Sequence, residues 1–221
     1  MWQRFKECLL NLFFPWDNLC CHCQRALVST EHMVCIHCEA KLRQCILTPL
    51  EQLSTHESLA LCISAFAYEG IARKLIHHLK YHHNTTIASL LGWYMCAALL
   101  ESPAERRWDA VVPVPLHPSK LRRRGYNQAR LLGQQIADCF RLMLRDDLLF
   151  RIKATASQTK RTAAERFSAM QGVFEASTQA SGLHILLVDD VLTTGATASA
   201  CAKALLDAGA AEVTLITACE A

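Results

Sequence analysis

The sequence lacks a hydrophobic stretch long enough to cross a membrane. The stretch "IASLLGWYMCAALL" is shorter than the run of about 20 apolar residues that a membrane-spanning helix needs. The amino-terminal stretch "MWQRFKECLLNLFFP" is interrupted by Glu7 and Asn11, and no small-residue cleavage site follows it. We therefore expect neither a membrane span nor a signal peptide, and we predict a cytoplasmic protein.

The chain also lacks a large net charge of either sign. Its formal charge is +3 over 221 residues, which by itself argues neither for nor against nucleic-acid binding. The distribution is uneven, because residues 110–137 contain no Asp or Glu. Five basic residues fall in that range: Lys120, Arg122, Arg123, Arg124 and Arg130. We predict a locally positive surface there, although for any single arginine a solvated basic face is the alternative.

Cysteine, by contrast, is abundant, with 12 residues. Without an export signal, metal ligation explains this number better than a disulfide scaffold does. Four cysteines form two CxxC pairs, in which one tight turn can aim both sulfurs at a tetrahedral zinc ion: Cys20, Cys23, Cys35 and Cys38. Cys21 is kept as a reserve ligand. Since all four ligands come from the protein, the predicted zinc is structural. Five other cysteines in apolar runs are expected to be buried hydrophobic residues: Cys62, Cys96, Cys139, Cys201 and Cys219.

Beyond residue 50, apolar runs alternate with segments of helical period. Three runs read as strands, "LALCISAFAYEG", "DAVVPVP" and "HILLVDD", and a fourth, "EVTLITACEA", ends the chain. Helical patterns lie between them, at 70–83, 84–102, 127–145 and 195–210. Continuous apolar strands alternating with helices predict an α/β domain with a parallel sheet covered on both faces. A hydrophobic content of 52% is enough for a substantial core. Because the zinc knuckles lie before residue 50 and the alternating pattern begins after it, we expect a zinc-binding module at 1–50 and a main domain at 51–221.

The stretch "ILLVDDVLTTGAT" at 185–197 places two carboxylates at the end of a strand and a threonine-rich turn after them. Gly195 permits unusual backbone angles, and the amides of such a turn together with the following helix start form an anion site. The hydroxyls of Thr193, Thr194 and Thr197 add donors to it. Asp189 and Asp190 can accept hydrogen bonds from sugar hydroxyls or bind a hydrated cation. We predict a site for a phosphorylated sugar.

This stretch resembles the phosphoribosyl-diphosphate binding motif of type I phosphoribosyltransferases. With the two zinc knuckles and "VVPVPLHPSKLRRRGYNQA", nearly the whole chain resembles the ComF family, including its GntX-type members. In that family a zinc-binding segment precedes a type I phosphoribosyltransferase-like domain. Its members are associated with natural competence or with the use of external DNA as a nutrient.

The resemblance implies roles for named residues. Asp189 and Asp190 would hold the ribose 2′- and 3′-hydroxyls, and the turn from Thr193 through Gly195 and Ala196 to Thr197 would hold the 5′-phosphate. Arg124, Asn127 and Gln128 would face the diphosphate, which binds with Mg²⁺. The segment 151–167 resembles the mobile hood that closes over substrate in these enzymes. Family members commonly carry Leu where Arg161 stands and Asn where Ala169 stands, so this hood departs from the pattern.

Two functions of different classes follow. In the first, the protein binds phosphoribosyl diphosphate with Mg²⁺ and transfers phosphoribosyl to a nitrogen acceptor that the sequence does not identify. In the second, it binds single-stranded DNA during import, together with other DNA-import proteins, and has no transferase turnover. Binding of single strands combines a basic groove with aromatic stacking platforms, and only Tyr126 and Phe167 lie near the basic segment in sequence.

Overall fold

A computed structural model describes most of the chain. The sequence offers Asn84 and Thr85 as caps for the helical pattern at 84–102, but both lie outside the described residues, as do residues 154–167 of the predicted hood. The described ranges are 19–29, 31–47, 58–81, 86–102, 107–153, 169–170 and 172–221.

The centre of the fold is a five-stranded parallel sheet. Its strands are β1 Leu61–Ala67, β2 Ala110–Pro113, β3 Met143–Leu144, β6 His184–Leu192 and β7 Glu212–Glu220. They lie in the order β1-β7-β6-β2-β3. The residues of β1, β2, β6 and β7 are mostly buried on both faces, which is why these strands read as continuous apolar runs. A separate antiparallel pair is formed by β4 Leu149–Arg151 and β5 Phe174–Ala176, and a 3₁₀ turn at Thr178–Ala180 follows it.

Helices cover both faces of the sheet, which confirms the predicted α/β class. They are α1 Ile36–Arg43, α2 Gly70–Tyr81, α3 Thr86–Glu101, α4 Pro118–Arg124, α5 Gln128–Phe140 and α6 Ala196–Asp207. One core contains buried residues of α2, α3 and α5 together with Leu186 and Val188 of β6. The other contains buried residues of α6 together with Ile185 and Leu187. Alternate residues of β6 therefore enter opposite cores.

The structure differs from the sequence prediction in several elements and at one residue. No helix was predicted for the basic segment, but "PSKLRRR" forms α4, with Pro118 in its first turn and Gly125 in the left-handed region (φ 82°) at its end. The short strands β3, β4 and β5 were not predicted, because two or three residues carry no readable period. Cys139 was predicted to be buried but is exposed in the last turn of α5.

The zinc-module segment packs directly on the main sheet. Leu42 and Cys45 are buried in the same core as Phe66 of β1. Two backbone hydrogen bonds reinforce this packing, because Ala67 N donates to the Cys45 carbonyl at 2.7 Å and Leu47 N donates to the Ala65 carbonyl at 3.1 Å. The division into domains at residue 50 stays a prediction, but the two parts share a hydrophobic core.

Candidate functional site

The candidate site lies where the connections of the sheet change direction. After β2 the chain passes through α5 to β3 on one side, and after β6 it passes through α6 to β7 on the other side. Because β2 and β6 are neighbours, their carboxyl ends flank a crevice, which is the position where open α/β sheets bind ligands. The basic segment 114–127 follows β2 and the threonine-rich turn follows β6, so both predicted motifs meet at this edge.

The turn between β6 and α6 leaves the start of the helix open. Gly195 precedes the helix with φ 70°, a left-handed conformation that favours glycine. By contrast, α4 and α5 begin at His117 and Asn127, whose side chains accept hydrogen bonds from Ser119 N and Ala129 N. Since glycine has no side chain that could accept in this way, the first amides of α6 are available to an anion.

A cleft at this turn collects four of the predicted site residues: Asp189, Thr193, Gly195 and Thr197. Its empty volume is about 280 Å³, including the part that is open to solvent. Thr217 of β7 lies beside Asp189 in the register of the sheet and also lines the cleft. Thr194 and Ala196 belong to the same turn but are not among the lining residues. The cleft thus combines a carboxylate, hydroxyls and a helix amino terminus.

The two adjacent aspartates point to opposite faces of β6. Asp189 shares the face of Leu187, which packs toward α6, and Asp190 shares the face of Val188. Asp190 is buried and lies 2.9 Å from the ammonium group of Lys80, at the end of α2. Asp189 is half-buried and accepts a hydrogen bond from the backbone amide of Asp190 at 2.8 Å. Only Asp189 of the pair therefore lines the cleft.

The surroundings of Asp189 favour its protonated form. Burial raises the pKa of Asp189 to about 7, and the negative charge of Asp190 raises it further, while Lys80 and Arg151 act in the opposite direction. A carboxyl group with such a pKa can change its charge near neutral pH, and a bound cation would favour the ionised form.

Several basic side chains lie near one another at this edge of the sheet, and two of them, Lys80 and Arg151, act on the Asp189 carboxylate. The pKa of Lys120 is lowered by burial and by the charges of Arg151, Arg124, Arg123 and Lys80, so these five side chains form one positive cluster. For Lys80, burial opposes the charged form, but the pKa is raised because of the neighbouring Asp190. The cluster gives the edge of the sheet the positive potential that an anionic ligand requires.

Sequence reasoning did not single out Lys80, and it assigned Arg151 only to the hood. Arg151 lies on β4. Its pKa is lowered by burial, and the neighbouring Cys201 and Asp189 oppose this effect only in part. Lys80 follows Leu79, the last residue of the apolar stripe of α2. That position places its stem at the edge of the core, which is the sequence signal that could have identified it.

The remaining predicted residues on the β2 side hold one another in place. Arg124 donates a hydrogen bond to the buried Gln128, and its guanidinium lies 5.5 Å from the centre of the Tyr81 ring. Asn127 donates to the Val114 carbonyl at 3.0 Å and caps α5 with its side-chain oxygen. Asn127 and Gln128 thus fix the turn that carries Arg124.

Other arginines of the acid-free range 110–137 are more exposed to solvent than Arg124. Arg122 and Arg123 are exposed on α4, although the charge of Arg123 also contributes to the cluster around Lys120. Arg130, which the sequence grouped with them, lies 2.6 Å from Asp146 in an exposed ion pair. The positive surface is therefore centred on α4 and the crevice, and Arg130 contributes less to it than the sequence predicts.

The four predicted zinc ligands are brought together. The sulfur atoms of Cys20, Cys23, Cys35 and Cys38 all lie within 4.8 Å of one another, and those of Cys23 and Cys35 are 3.7 Å apart. Tetrahedral zinc with Zn–S bonds of about 2.3 Å separates its sulfurs by about 3.8 Å, so the donor set fits this metal. Cys21, the reserve ligand, is outside this group, and burial raises its pKa to about 12.

Charged residues support the loop between the two knuckles. The Glu31 carboxylate pairs with Arg25 and accepts hydrogen bonds from Val28 N at 2.9 Å and Ile36 N at 2.8 Å. These bonds fix the loop that leads into Cys35 and the start of α1. Such contacts orient metal ligands from outside the coordination sphere.

Among the residues that the structure describes, none of the helices is both long and apolar enough to span a bilayer. This agrees with the expectation from the sequence.

Comparisons with known proteins add the following. No protein-family model matches the chain. The DNA utilization protein YhgH of Salmonella typhimurium is 30% identical over 213 residues, which cover 89% of this chain and 94% of that protein. Competence protein F of Haemophilus influenzae is 27% identical over 216 residues, with 95% and 93% covered. Among solved structures, the glutamine phosphoribosylpyrophosphate amidotransferase of B. subtilis has a TM-score of 0.43 and 19% identity, and the match covers 64% of this chain and 30% of that one.

Proposed function

Because this chain belongs to the ComF family, we propose that it binds 5-phosphoribosyl 1-diphosphate with Mg²⁺ in the crevice between β2 and β6 and acts in DNA uptake or in the use of external DNA as a nutrient. The relatives that match about nine-tenths or more of the chain are named for DNA utilization and for competence. The observation that carries the ligand proposal is the open start of α6 beside Asp189, in one cleft at the switch point of the sheet.

The phosphate end of the ligand fits the turn at 193–197. The amides at the start of α6 and the hydroxyls of Thr193 and Thr197 would donate hydrogen bonds to phosphate oxygens. Gly195 lets the backbone approach the phosphate closely, and the helix dipole adds a favourable interaction with its negative charge. Thr194 and Ala196 would contribute through their backbone only.

The ribose and the diphosphate fit the opposite part of the crevice. Asp189 would accept hydrogen bonds from the ribose hydroxyls, while the predicted contact of Asp190 with the same hydroxyls stays a prediction. The positive cluster around Lys120 and Arg124 would offset the charge of the diphosphate. Mg²⁺, when bound with the diphosphate, would supply further positive charge at the leaving group.

For a transfer reaction the chain would have to stabilise charge and exclude water. The ribose carbon gains positive character as diphosphate leaves, so cations that bind the leaving group lower the barrier. Arg124 is held for this role by Gln128 and Tyr81. The zinc site would have a structural role, because four protein ligands leave no open position for chemistry.

The test is calorimetric titration of the zinc-loaded protein with phosphoribosyl diphosphate and Mg²⁺. We expect binding, weakened about tenfold by Thr197→Val, because one donor to the phosphate is lost without a change of shape. Thr178→Val is the matched control, since Thr178 is exposed on the 3₁₀ turn before β6 and should leave affinity unchanged. No heat of binding at millimolar ligand would reject the proposal.

A second function, binding of single-stranded DNA without turnover, is favoured by the exposed arginines of α4. Arg122 and Arg123 lie outside the crevice-lining residues and can contact a phosphate backbone. Incubation with the activated sugar and a panel of bases, amines and single-stranded DNA separates the two functions. Release of diphosphate that depends on an acceptor indicates a transferase, and DNA binding without release indicates a binding protein.

A further inference from the structure

Helices α3 and α5 approach each other most closely at Gly92. A Cβ atom added at Gly92 would lie 2.5 Å from the Cβ of Gln135, so only glycine allows this contact. One helical turn further along each helix stand Cys96 and Cys139, each four residues beyond the contact pair. Because the two helices run parallel to each other, Cys96 of α3 and Cys139 of α5 are the next residues along this contact that face each other.

The position of each sulfur supports this pairing. The Cys96 sulfur lies 4.0 Å from the carbonyl oxygen of Gln135, which places it against the backbone of α5 one turn before Cys139. The pKa of Cys96 is raised by burial and by the neighbouring Cys139 thiol, so the two thiols lie near each other. Cys96 is buried and Cys139 is exposed.

We propose that Cys96 and Cys139 are a redox-active pair, and that a peroxide converts them into a disulfide bond that joins α3 to α5. This property goes beyond the proposed function and does not depend on it. The four zinc ligands take no part, and the pair lies at the ends of two helices that run away from the crevice toward the opposite edge of the sheet.

The reaction with a peroxide balances in two steps. The exposed Cys139 thiolate attacks one peroxide oxygen, which forms a sulfenic acid and releases hydroxide or alkoxide. The Cys96 sulfur then attacks the Cys139 sulfur, the S–S bond forms, and the sulfenic oxygen leaves as water with the Cys96 proton. Two thiols are oxidised and one peroxide is reduced. Burial disfavours the Cys96 thiolate, so Cys139 reacts first, and the second step is intramolecular because both cysteines belong to the same packed pair of helices.

The bond would stabilise the folded chain and would be reversible. It closes a long loop that contains β2 and the basic segment, and cross-links of long loops restrict the unfolded chain most. An exposed sulfur also gives thiol reductants access, so thiols would restore the reduced pair. Oxidation would thus raise stability without changing the cleft at α6.

Peptide mapping tests the pair directly. The zinc-loaded full chain is treated with one equivalent of hydrogen peroxide, free thiols are alkylated, and trypsin is added without reductant. Fragments 81–106 and 131–141 each contain one cysteine. We expect a joined fragment that is two hydrogens lighter than its parts, before zinc is released, and a rise in melting temperature of roughly 5–10 °C. A thiol reductant should reverse both.

The control is Cys139→Ser, which should fold because the residue is exposed, and which should give neither the joined fragment nor the rise in melting temperature. Mapping of the unaltered chain decides the question even if that variant fails to fold. The proposal is overturned if both cysteines remain free while the zinc cysteines are oxidised, or if Cys139 is found linked only to another chain.

Discussion

The ammonium of Lys80 lies 2.9 Å from the carboxylate of Asp190, on the face of β6 opposite to the cleft-lining Asp189. Asp190 Oδ2 is buried, and among the described residues it has no hydrogen-bond partner. The charge of Asp190 is therefore balanced mainly by Lys80. Two aspartates that are neighbours in the sequence thus have different surroundings, and their substitution should have different effects.

We predict that Asp190→Asn lowers the free energy of unfolding by about 3 kcal/mol, because it leaves the largely buried Lys80 without its counter-charge. The double variant Lys80→Met, Asp190→Asn should recover part of this loss, since the unpaired charge is gone. Asp189→Asn should cost little at pH 8, where burial disfavours the ionised form that it replaces. Denaturant unfolding of the three variants measures this. Equal losses for Asp189→Asn and Asp190→Asn would contradict the different roles.

The pKa of Asp189 predicts a dependence of stability on pH. Burial and the charge of Asp190 raise this pKa to about 7, whereas an aspartate in an unfolded chain titrates near pH 4. Between these values the folded state holds a proton that the unfolded state has lost. The free energy of unfolding therefore falls as pH rises from about 4 to about 7 and then levels off.

The measurement compares the unaltered chain with Asp189→Asn across that pH range. Relative to the variant, the unaltered chain should lose about 3 kcal/mol between the two ends. The difference between the two curves removes the contribution of other titrating groups. Parallel curves would show that Asp189 has an ordinary pKa in the folded state.

Local pattern was enough to predict most of the sheet and the glycine turn. The strand at "HILLVDD" could be predicted because burial on both faces requires a continuous apolar run. The turn at Gly195 could be predicted because a positive φ favours glycine. The ion pair of Lys80 with Asp190 could not, since 110 positions separate its members and only the sheet order brings them together. Likewise, the partner of Arg130 is Asp146, which lies beyond the acid-free segment that suggested a uniform positive surface.

Removal of zinc should destabilise the rest of the described fold as well as the two zinc knuckles. Because Leu42 and Cys45 share a core with Phe66, we expect a chelator to lower the melting temperature of the whole described fold and to reduce the helical signal of α1. Metal analysis should find about one zinc per chain in the unaltered protein and in Cys21→Ser, but much less in Cys38→Ser. Loss of zinc from Cys21→Ser with retention in Cys20→Ser would instead make Cys21 a ligand.

Arg122 and Arg130 provide a matched test of DNA binding, since both are exposed arginines and only Arg130 has its charge paired in the described structure with Asp146. If α4 contacts the phosphate backbone, Arg122→Gln should weaken binding of single-stranded DNA several-fold and reduce its salt dependence by about one released counterion. Arg130→Gln should change both quantities less. Affinities measured by fluorescence anisotropy at several salt concentrations decide this. Binding that is independent of salt would exclude the contact.

Alanine substitutions at Gly195 and Gly182 distinguish an effect of backbone strain from an effect on ligand binding. Both have positive φ, 70° and 77°, and a Cβ at Gly182 would meet nothing within 4 Å. Alanine at either position should cost about 1 kcal/mol of stability, because a side chain disfavours the left-handed conformation. Only Gly195→Ala should also weaken binding of phosphoribosyl diphosphate, by tenfold or more, since the amides at the start of α6 can hold a phosphate only while this turn keeps its shape. Thermal unfolding and calorimetric titration give the two quantities for each variant. If both variants lose the same stability and bind phosphoribosyl diphosphate equally well, the phosphate lies away from α6. The strained turn at Gly195 would then have no effect on the ligand.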